Sequence, residues 1–398
     1  MTNIPKNIPT GYKSSPLGII PEDWEVKRLG ECTNLLTNGF VGVATPHYTE
    51  DSDGITYIQG FNVTEGGFNL TGVKKVTKSF HKKNSKSSLR EGDLLTIQTG
   101  DIGLTTIVTK ELEGSNCHAL IISRFKEMIM PQFMLYYYNS TIGRNRFRII
   151  ETGTTMKHIN TGDLVKFSIP VPPLSEQQRI VSVLSLWDTA IDKQTALIEK
   201  LTLRKRGLMQ QLLTGKKRLK GFEGDSFKMM SFDKIANTVN VKAFQVSKSD
   251  YQEKGKTPIV DQGQMFIAAY SDSEKIFKDV PFILFGDHTR IIKWIDFPCV
   301  IGADGVQAIK SKVEMDIKYL YYLLSNTELP NLGYSRHMSI LKEKVFYVST
   351  NHDEQKAIAE CLSRVDVEIE IQKRKLSILQ EQKRGLMQVL LTGKRRVK

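Results

Sequence analysis

Cysteine is scarce in this chain. Cys32, Cys117, Cys299 and Cys361 lie far apart with no CxxC pair, which excludes a disulfide framework and a zinc site of ordinary ligand spacing. Long apolar runs are missing as well. Nothing approaches the roughly 20 residues of a membrane span, and Met1 to Pro21 carries prolines and polar residues where a secretory signal would be basic and then apolar. A reducing, cytoplasmic setting without a membrane partner is the expectation. Catalytic signatures are equally absent. The Pro-Pro pair sits in Val171-Pro172-Pro173-Leu174, so there is no [DNS]PP[YFW] methyltransferase tetrad, and no GxG occurs to cradle an adenosyl cofactor. Gly215-Lys216 mimics a phosphate loop, but Gln210 replaces its upstream glycine and Lys217 stands where a hydroxyl must hold magnesium. The seven histidines form no HExxH. No catalytic residue, bound cofactor or metal ligand is assigned to this chain.

Acidic residues are also in deficit, 43 against 56 basic ones, leaving a net charge of +13. The favoured partner is a polyanion. A length of 398 residues allows two or three domains.

The chain repeats itself. Glu176 to Lys220 matches Glu354 to Lys398 at a constant offset of 178, without a gap and with 22 identities in 45 positions. Both copies read as helices. Ile180, Leu184, Trp187, Ile191, Gln194, Ile198, Leu201, Lys205, Leu208 and Leu212 follow 4-3-4-3 spacing. Ile358, Leu362, Val365, Ile369, Gln372, Leu376, Leu379, Lys383, Leu386 and Leu390 occupy the identical register. Steps averaging about 3.5 residues keep one seam facing a partner helix, as in a coiled coil. Ser175 with Gln178 reads as the first N-cap and Asp353 as the second, while Gly215 and Gly393 supply left-handed stops. Each helix is then about 39 residues, or roughly 58 Å. Gln194 and Gln372 either oppose each other to fix register or sit at a wet edge.

The regions between correspond more faintly. Trp24 to Cys32 resembles Phe227 to Ile235, Gly100-Asp101 faces Gly286-Asp287, and Phe133 to Tyr138 faces Tyr319 to Leu324. Short apolar strands are predicted at Gly54 to Gln59, Asp93 to Gln98, Thr105 to Val108, Pro281 to Phe285 and Cys299 to Gly302. The fold class is α+β: two divergent globular domains with small sheets, at residues 1–172 and 217–351, and two long helices, at 173–216 and 352–398, forming a coiled coil. Tyr136 to Tyr138 and Tyr321-Tyr322 read as core rather than as stacking platforms for bases.

Basic residues suit binding better than catalysis. Lys74, Lys75, Lys78, Lys82, Lys83, Lys86 and Arg90, with His81, form a run without an acid, either a solvated loop or a phosphate-contacting one. Arg144, Arg146 and Arg148 alternate as if on one face of an extended segment, ahead of Thr154, Thr155 and Lys157. Thr99 and Asp101 flank Gly100. In the second domain Asp287, His288, Thr289 and Arg290, with Arg336 and His337, offer donors and acceptors suited to base edges. The same Arg and Asp residues can instead pair with each other. Asp304, a further candidate contact, also suggests with Asp316-Ile317-Lys318 a metal-dependent nuclease. That reading and a coiled-coil adaptor that ignores DNA are the alternatives.

These segments resemble the specificity subunits of type I restriction-modification systems. The likeness is carried by Ile169 to Val181 (IPVPPLSEQQRIV), the two KRGLMQ blocks at Lys205 and Lys383, Ile20 to Glu31, Thr152 to Ile159 (TGTTMKHI), and FGDHTR with GADGV at Phe285 and Gly302. The resemblance implies two target-recognition domains, each reading half of a split, asymmetric site in double-stranded DNA. It also implies two long helices that pack as an antiparallel coiled coil, act as a ruler and dock two modification subunits, with restriction subunits where present. S-adenosylmethionine, ATP and magnesium would belong to those partner chains, which accounts for the missing catalytic motifs. The sequence departs from the family pattern in two places. Val348 to Asp353 replaces the Pro-Pro-Leu lead, and Ser335 to Ile340 is a reduced TGTTMKHI.

Overall fold

The computed structural model describes residues 8–154, 157–224, 226–302, 305–331, 333 and 335–397. Two units divide the chain, Met1–Gln194 with Lys375–Lys398, and Thr195–Arg374. Each holds one globular domain and half of both long helices. Among the described residues no helix is long and apolar enough to cross a membrane.

The first unit contains strands β1 (Glu25–Arg28), β2 (Thr33–Asn38), β3 (Ile55–Ile58), β4 (Lys74–Val76), β5 (Leu94–Ile97), β6 (Thr105–Ile107), β7 (Asn116–Cys117), β8 (Leu120–Phe125) and β9 (Ser168–Val171). Its helices include α1 (Lys78–Lys83), α2 (Pro131–Asn139), α3 (Thr141–Ile149) and the start of α4 (Leu174–Leu212). An antiparallel sheet runs β6-β5-β8-β2, and a second runs β7-β3-β4 with β7 parallel to β3. β9 pairs with β1.

The second unit contains β10 (Phe227–Ser231), β11 (Ala236–Val239), β12 (Thr257–Val260), β13 (Ala269–Ser271), β14 (Phe282–Gly286), β15 (Ile292–Ile295), β16 (Val300–Ile301), β17 (Val306–Ser311) and β18 (Val345–Ser349). Helices α5 (Ile317–Ser325) and α6 (His352–Leu390) follow the same plan. Its sheets run β15-β14-β17-β11, β16-β12-β13 and β18-β10. These nine strands of the first unit recur in the second in the same order and pairing, whereas its two hairpins, Tyr12–Ser15 with Gly18–Pro21 and Val63–Thr64 with Gly67–Phe68, have no counterpart there among the described residues. A further difference lies after the aromatic helix. Among the described residues, nothing between α5 and the short helix Met338–Glu343 matches α3.

β5 and β14 are buried at every position, as central strands covered on both faces must be, so they read as mainly apolar runs; the one polar side chain, Thr96, has its hydroxyl 2.9 Å from that of Thr105. In the first unit Leu94 and Ile121 face Phe133, Tyr137, Ile180, Leu184, Met387 and Leu390, while Leu95, Leu120 and Ile122 face Ile58 and Cys117 of the smaller sheet. In the second unit Ile283, Phe285 and Ile309 share a core with Met209, Leu212, Ile358 and Leu362. The tyrosine runs are core. Tyr137, Tyr138 and Tyr322 are buried.

Both long helices span 39 residues, but they start differently from expectation. Pro173 O accepts Glu176 N and Gln177 N at 2.9 and 3.0 Å, so the first turn opens before Ser175, which therefore does not cap it. In α6 the cap is Asn351, whose Oδ1 accepts from Asp353 N and Glu354 N at 2.8 and 3.2 Å. The C-termini match expectation, with Gly215 at φ +68° and Gly393 at +70° in the left-handed conformation glycine favours.

Along the seam Ile180, Leu184, Gln194, Leu201, Leu212, Ile358, Leu362, Val365, Ile369 and Leu390 are buried. Trp187, Ile191, Ile198, Leu208, Gln372, Leu376, Leu379 and Leu386 are half-buried. Met209, Leu213, Met387 and Leu391 lie off the seam and are buried against the globular domains.

Polar clamps seat the helices, and they occur in duplicate. Glu176 is buried and accepts from Trp24 Nε1 at 2.8 Å and from Arg396 Nε and Nη2 at 2.6 and 2.7 Å. Arg396 also reaches Asp23. In the second unit Glu354 accepts from Arg218 Nε and Nη2 at 2.7 and 2.8 Å and from the Ser349 hydroxyl. Asp188 accepts from Tyr136 Oη at 2.5 Å and pairs with Lys383, while Asp366 accepts from Tyr322 Oη at 2.7 Å and pairs with Lys205 at 2.6 Å. These pairs make the helix halves antiparallel within each unit. Each helix or tail member stands 178 residues from its counterpart. Burial, reinforced by the neighbouring carboxylate, pushes the Tyr136 hydroxyl above the ordinary tyrosine range and keeps it a donor.

Candidate nucleic-acid interface

The basic run of the first domain is a strand and a helix, not a loop. Val76 in β4 is buried, Thr77 Oγ1 caps α1 by accepting from Phe80 N at 3.3 Å, and Phe80 packs edge-on to Phe40 and Tyr57. Anchored this way, the segment turns Lys74, Lys82, Lys83, Lys86 and Arg90 outward. Other members have protein partners. Lys78 pairs with Asp53 at 2.6 Å, Lys75 donates to the carbonyls of Asp51 and Ser52, and His81 contacts Asn116. Reversing Lys82, Lys83 and Lys86 to glutamate is expected to weaken binding to all duplexes alike and to reduce the salt slope by about 0.9 for each phosphate no longer neutralised. Titration over a salt series checks this. A changed sequence preference would mean that the run reads bases.

A second patch forms where two loops meet. Thr152 and His158 exchange backbone hydrogen bonds at 2.9 Å, Thr99 bridges to His158, and Ile159 N donates to Gln98 O at 3.0 Å. The Thr152–His158 pair is therefore tied to the loop after β5. Thr99, Thr154 and Lys157 are exposed there, with Lys157 3.4 Å from Glu151. Thr155 lies outside the described residues.

The three arginines do not share a face. Ser140 caps α3 by accepting from Gly143 N at 3.1 Å, so 144, 146 and 148 are helical: 144 and 148, four apart, lie on one side and 146 on the other. Arg144 pairs with Asp101. Arg146 turns inward, donating to Tyr137 Oη and Ser168 O at 2.6 Å over the Phe167 ring. Arg148 is exposed and donates to Asn145 Oδ1 at 3.2 Å.

In the second domain several expected base readers are structural. Asp287 is buried, its Oδ1 accepting from Met338 N at 2.7 Å and its carbonyl from His337 N at 2.9 Å. His337 is wholly buried with Nδ1 2.9 Å from that carbonyl. Neither is available to a base edge. His288 N donates to Gln262 Oε1 at 3.1 Å, Thr289 Oγ1 donates to Gln262 O at 2.7 Å, and Arg290 Nη1 donates to Leu329 O at 3.1 Å. The loops after β14 and β16 thus close around Gln262. Glycine is required for that approach, since a Cβ on Gly305 would lie 2.5 Å from Gln262 Nε2 and one on Gly286 2.9 Å from its Cβ. Arg336 is exposed.

The described members of the nuclease constellation have structural partners. Asp316 caps α5, accepting from Tyr319 N at 2.7 Å, and Lys318 Nζ lies 3.7 Å from the Trp294 ring centre. Burial holds Lys318 below the ordinary lysine range. Asp304 lies outside the described residues, and among those described no group of three or more His, Cys, Asp or Glu is placed to hold a metal.

Sequence reasoning placed Lys205 and Lys383 on the seam but missed the other clamp residues of the helices and tails, and Gln262. For the clamps a signal existed: Glu176 and Glu354, Asp188 and Asp366, and Arg218 and Arg396 are identical polar residues at the repeat offset.

Known proteins are similar over most of this length. The family model for the type I restriction modification DNA specificity domain matches residues 21–203. The putative type I restriction enzyme MjaX specificity subunit of Methanocaldococcus jannaschii is 27% identical, covering 97% of this chain and 97% of its own. The MjaVIII specificity subunit of the same organism is 26% identical over 95% of this chain and 94% of its own. In fold, the chain resembles the S subunit of a type I restriction-modification system from M. genitalium, with a TM-score of 0.56 at 17% identity, covering 92% of this chain and 96% of that one.

Proposed function

From the premise that this chain belongs to the specificity subunits of type I restriction-modification systems, we propose that its two domains each read one half of a split, asymmetric DNA target. The chain is a non-catalytic, sequence-specific DNA-binding component that assembles with other subunits. One observation carries the finer reading: two domains with the same strand order, each clamped to both long helices by counterparts 178 residues apart, yet with divergent surfaces. A duplicated reader suits two half-sites on one duplex, and divergence makes those half-sites differ. The long helices dock two modification subunits, which supply S-adenosylmethionine and methylate adenine in the cytoplasm. Restriction subunits, where present, add ATP- and magnesium-dependent translocation and cleavage.

Sequencing the methylated bases of a host that expresses this chain with its modification subunit tests the proposal. A motif of two unlike half-sites around a fixed gap is expected. A palindromic or unsplit motif would overturn it.

A further inference from the structure

β3 and β12 occupy the same place in their domains, each the centre of a three-stranded sheet with one parallel and one antiparallel neighbour. The chain leaving β3 is Gln59-Gly60-Phe61-Asn62. The chain leaving β12 is Asp261-Gln262-Gly263-Gln264-Met265-Phe266. Both carry large apolar side chains into solvent, Phe61 at 61% exposure, Met265 at 70% and Phe266 at 50%. In the first domain Phe40 bridges His118 in parallel while Ile58 pairs in parallel with Cys117. The segments after Phe40 and Ile58 therefore leave at the same end, and the exposed Val41 and Val43 emerge there with Phe61.

These loops are held, not slack. Asn62 is wholly buried, its Oδ1 accepting from Gln59 N and its Nδ2 donating to Asn69 O, both at 2.9 Å. In the second domain the loop is stapled by a buried amine. Lys293, 5% exposed, donates to the carbonyls of Asp261 at 2.7 Å and Met265 at 2.5 Å. Gly263 N donates to Asp261 Oδ1 at 2.8 Å, and the loop after β14 grips Gln262. Burying a lysine is unfavourable unless its donors are satisfied. Here they fix the backbone of a loop whose apolar tip stays in water, as preorganised contact sites require. Lone exposed apolar residues are ordinary on a surface. Rigid ones at the equivalent loop of two domains otherwise as diverged as these are not.

We propose that Phe61 and the Met265-Phe266 pair are apolar base-contacting tips, each determining specificity within one half-site. Such a side chain packs on thymine methyl groups or on a partly unstacked base step, and it needs no charge. The proposal rests on the DNA-reading function above.

The test selects duplexes from a randomised double-stranded DNA library with the full chain assembled with its modification subunits. Phe61→Ala is expected to lose about tenfold discrimination at one or more base pairs of one half-site, leaving the other half-site and the salt slope unchanged. Met265→Ala with Phe266→Ala should do the converse. Because the side chains are exposed, thermal unfolding should be unaffected, and Phe61→Leu should retain part of the discrimination. An unchanged motif, equal loss at both half-sites or a reduced salt slope would overturn the proposal. If the parent complex selects no sequence, the DNA-reading function itself fails, a result distinct from a parent motif that the variants preserve.

Discussion

Replacing Arg218 with alanine is expected to destabilise the second unit by about 3 kcal/mol, because it strands a buried carboxylate. Glu354 is fully buried and takes two of its hydrogen bonds from the Arg218 guanidinium, which also lies over the Phe227 ring with 5.0 Å from Cζ to its centre. Arg218→Lys keeps the charge but not the planar fork and should fall between. Adding Glu354→Gln to Arg218→Ala should restore part of the loss, since the remaining neutral group is less costly to bury unpaired. Hydrogen exchange resolved by segment is the measurement, with protection falling around residues 205–218 and 352–366 while residues 20–190 keep theirs. A change under about 0.5 kcal/mol would show that the clamp is ornamental. The counterpart Arg396→Ala should cost less, because Arg396 is about one-third exposed and water screens it.

Deleting Leu197 to Leu203 together with Lys375 to Glu381 should shorten the gap between recognised half-sites by about three base pairs. Seven residues are about 10.5 Å of helix, and each base pair rises about 3.4 Å. A heptad is the least disruptive unit to remove, since the apolar face drifts only about 20°. One heptad leaves each helix at equivalent repeat positions, so Asp188 still meets Lys383 and Lys205 still meets Asp366. The methylation motif of a host carrying the variant reads the result. An unchanged gap would sink the ruler.

Much of this was legible from spacing alone. A seam with 4-3-4-3 steps and a 178-residue offset announce two long helices, and each is 39 residues long. Strands such as Asp93 to Gln98 and Pro281 to Phe285 were visible because central strands are mainly apolar. The caps were not. Ser175 has the right chemistry, but Pro173 opens the turn first. The candidate contacts were legible by residue type and not by role. Arg146 and His337 look like groove readers in a string of letters, yet one donates to a carbonyl under Phe167 and the other is buried against Asp287. Polarity marks a residue as able to bond and leaves open whether its partner is protein or DNA.

By itself the amino-acid sequence determined the duplication, the helix lengths, the positive charge and the absence of catalytic motifs, because each is a property of neighbours along the chain. Only the tertiary structure decided which cations remain outward, since pairing Lys78 with Asp53 or Arg218 with Glu354 depends on groups 25 and 136 residues apart. It likewise decided that Phe61 and Met265 stay in water. Burial is a sum over the whole fold, and no local pattern contains it.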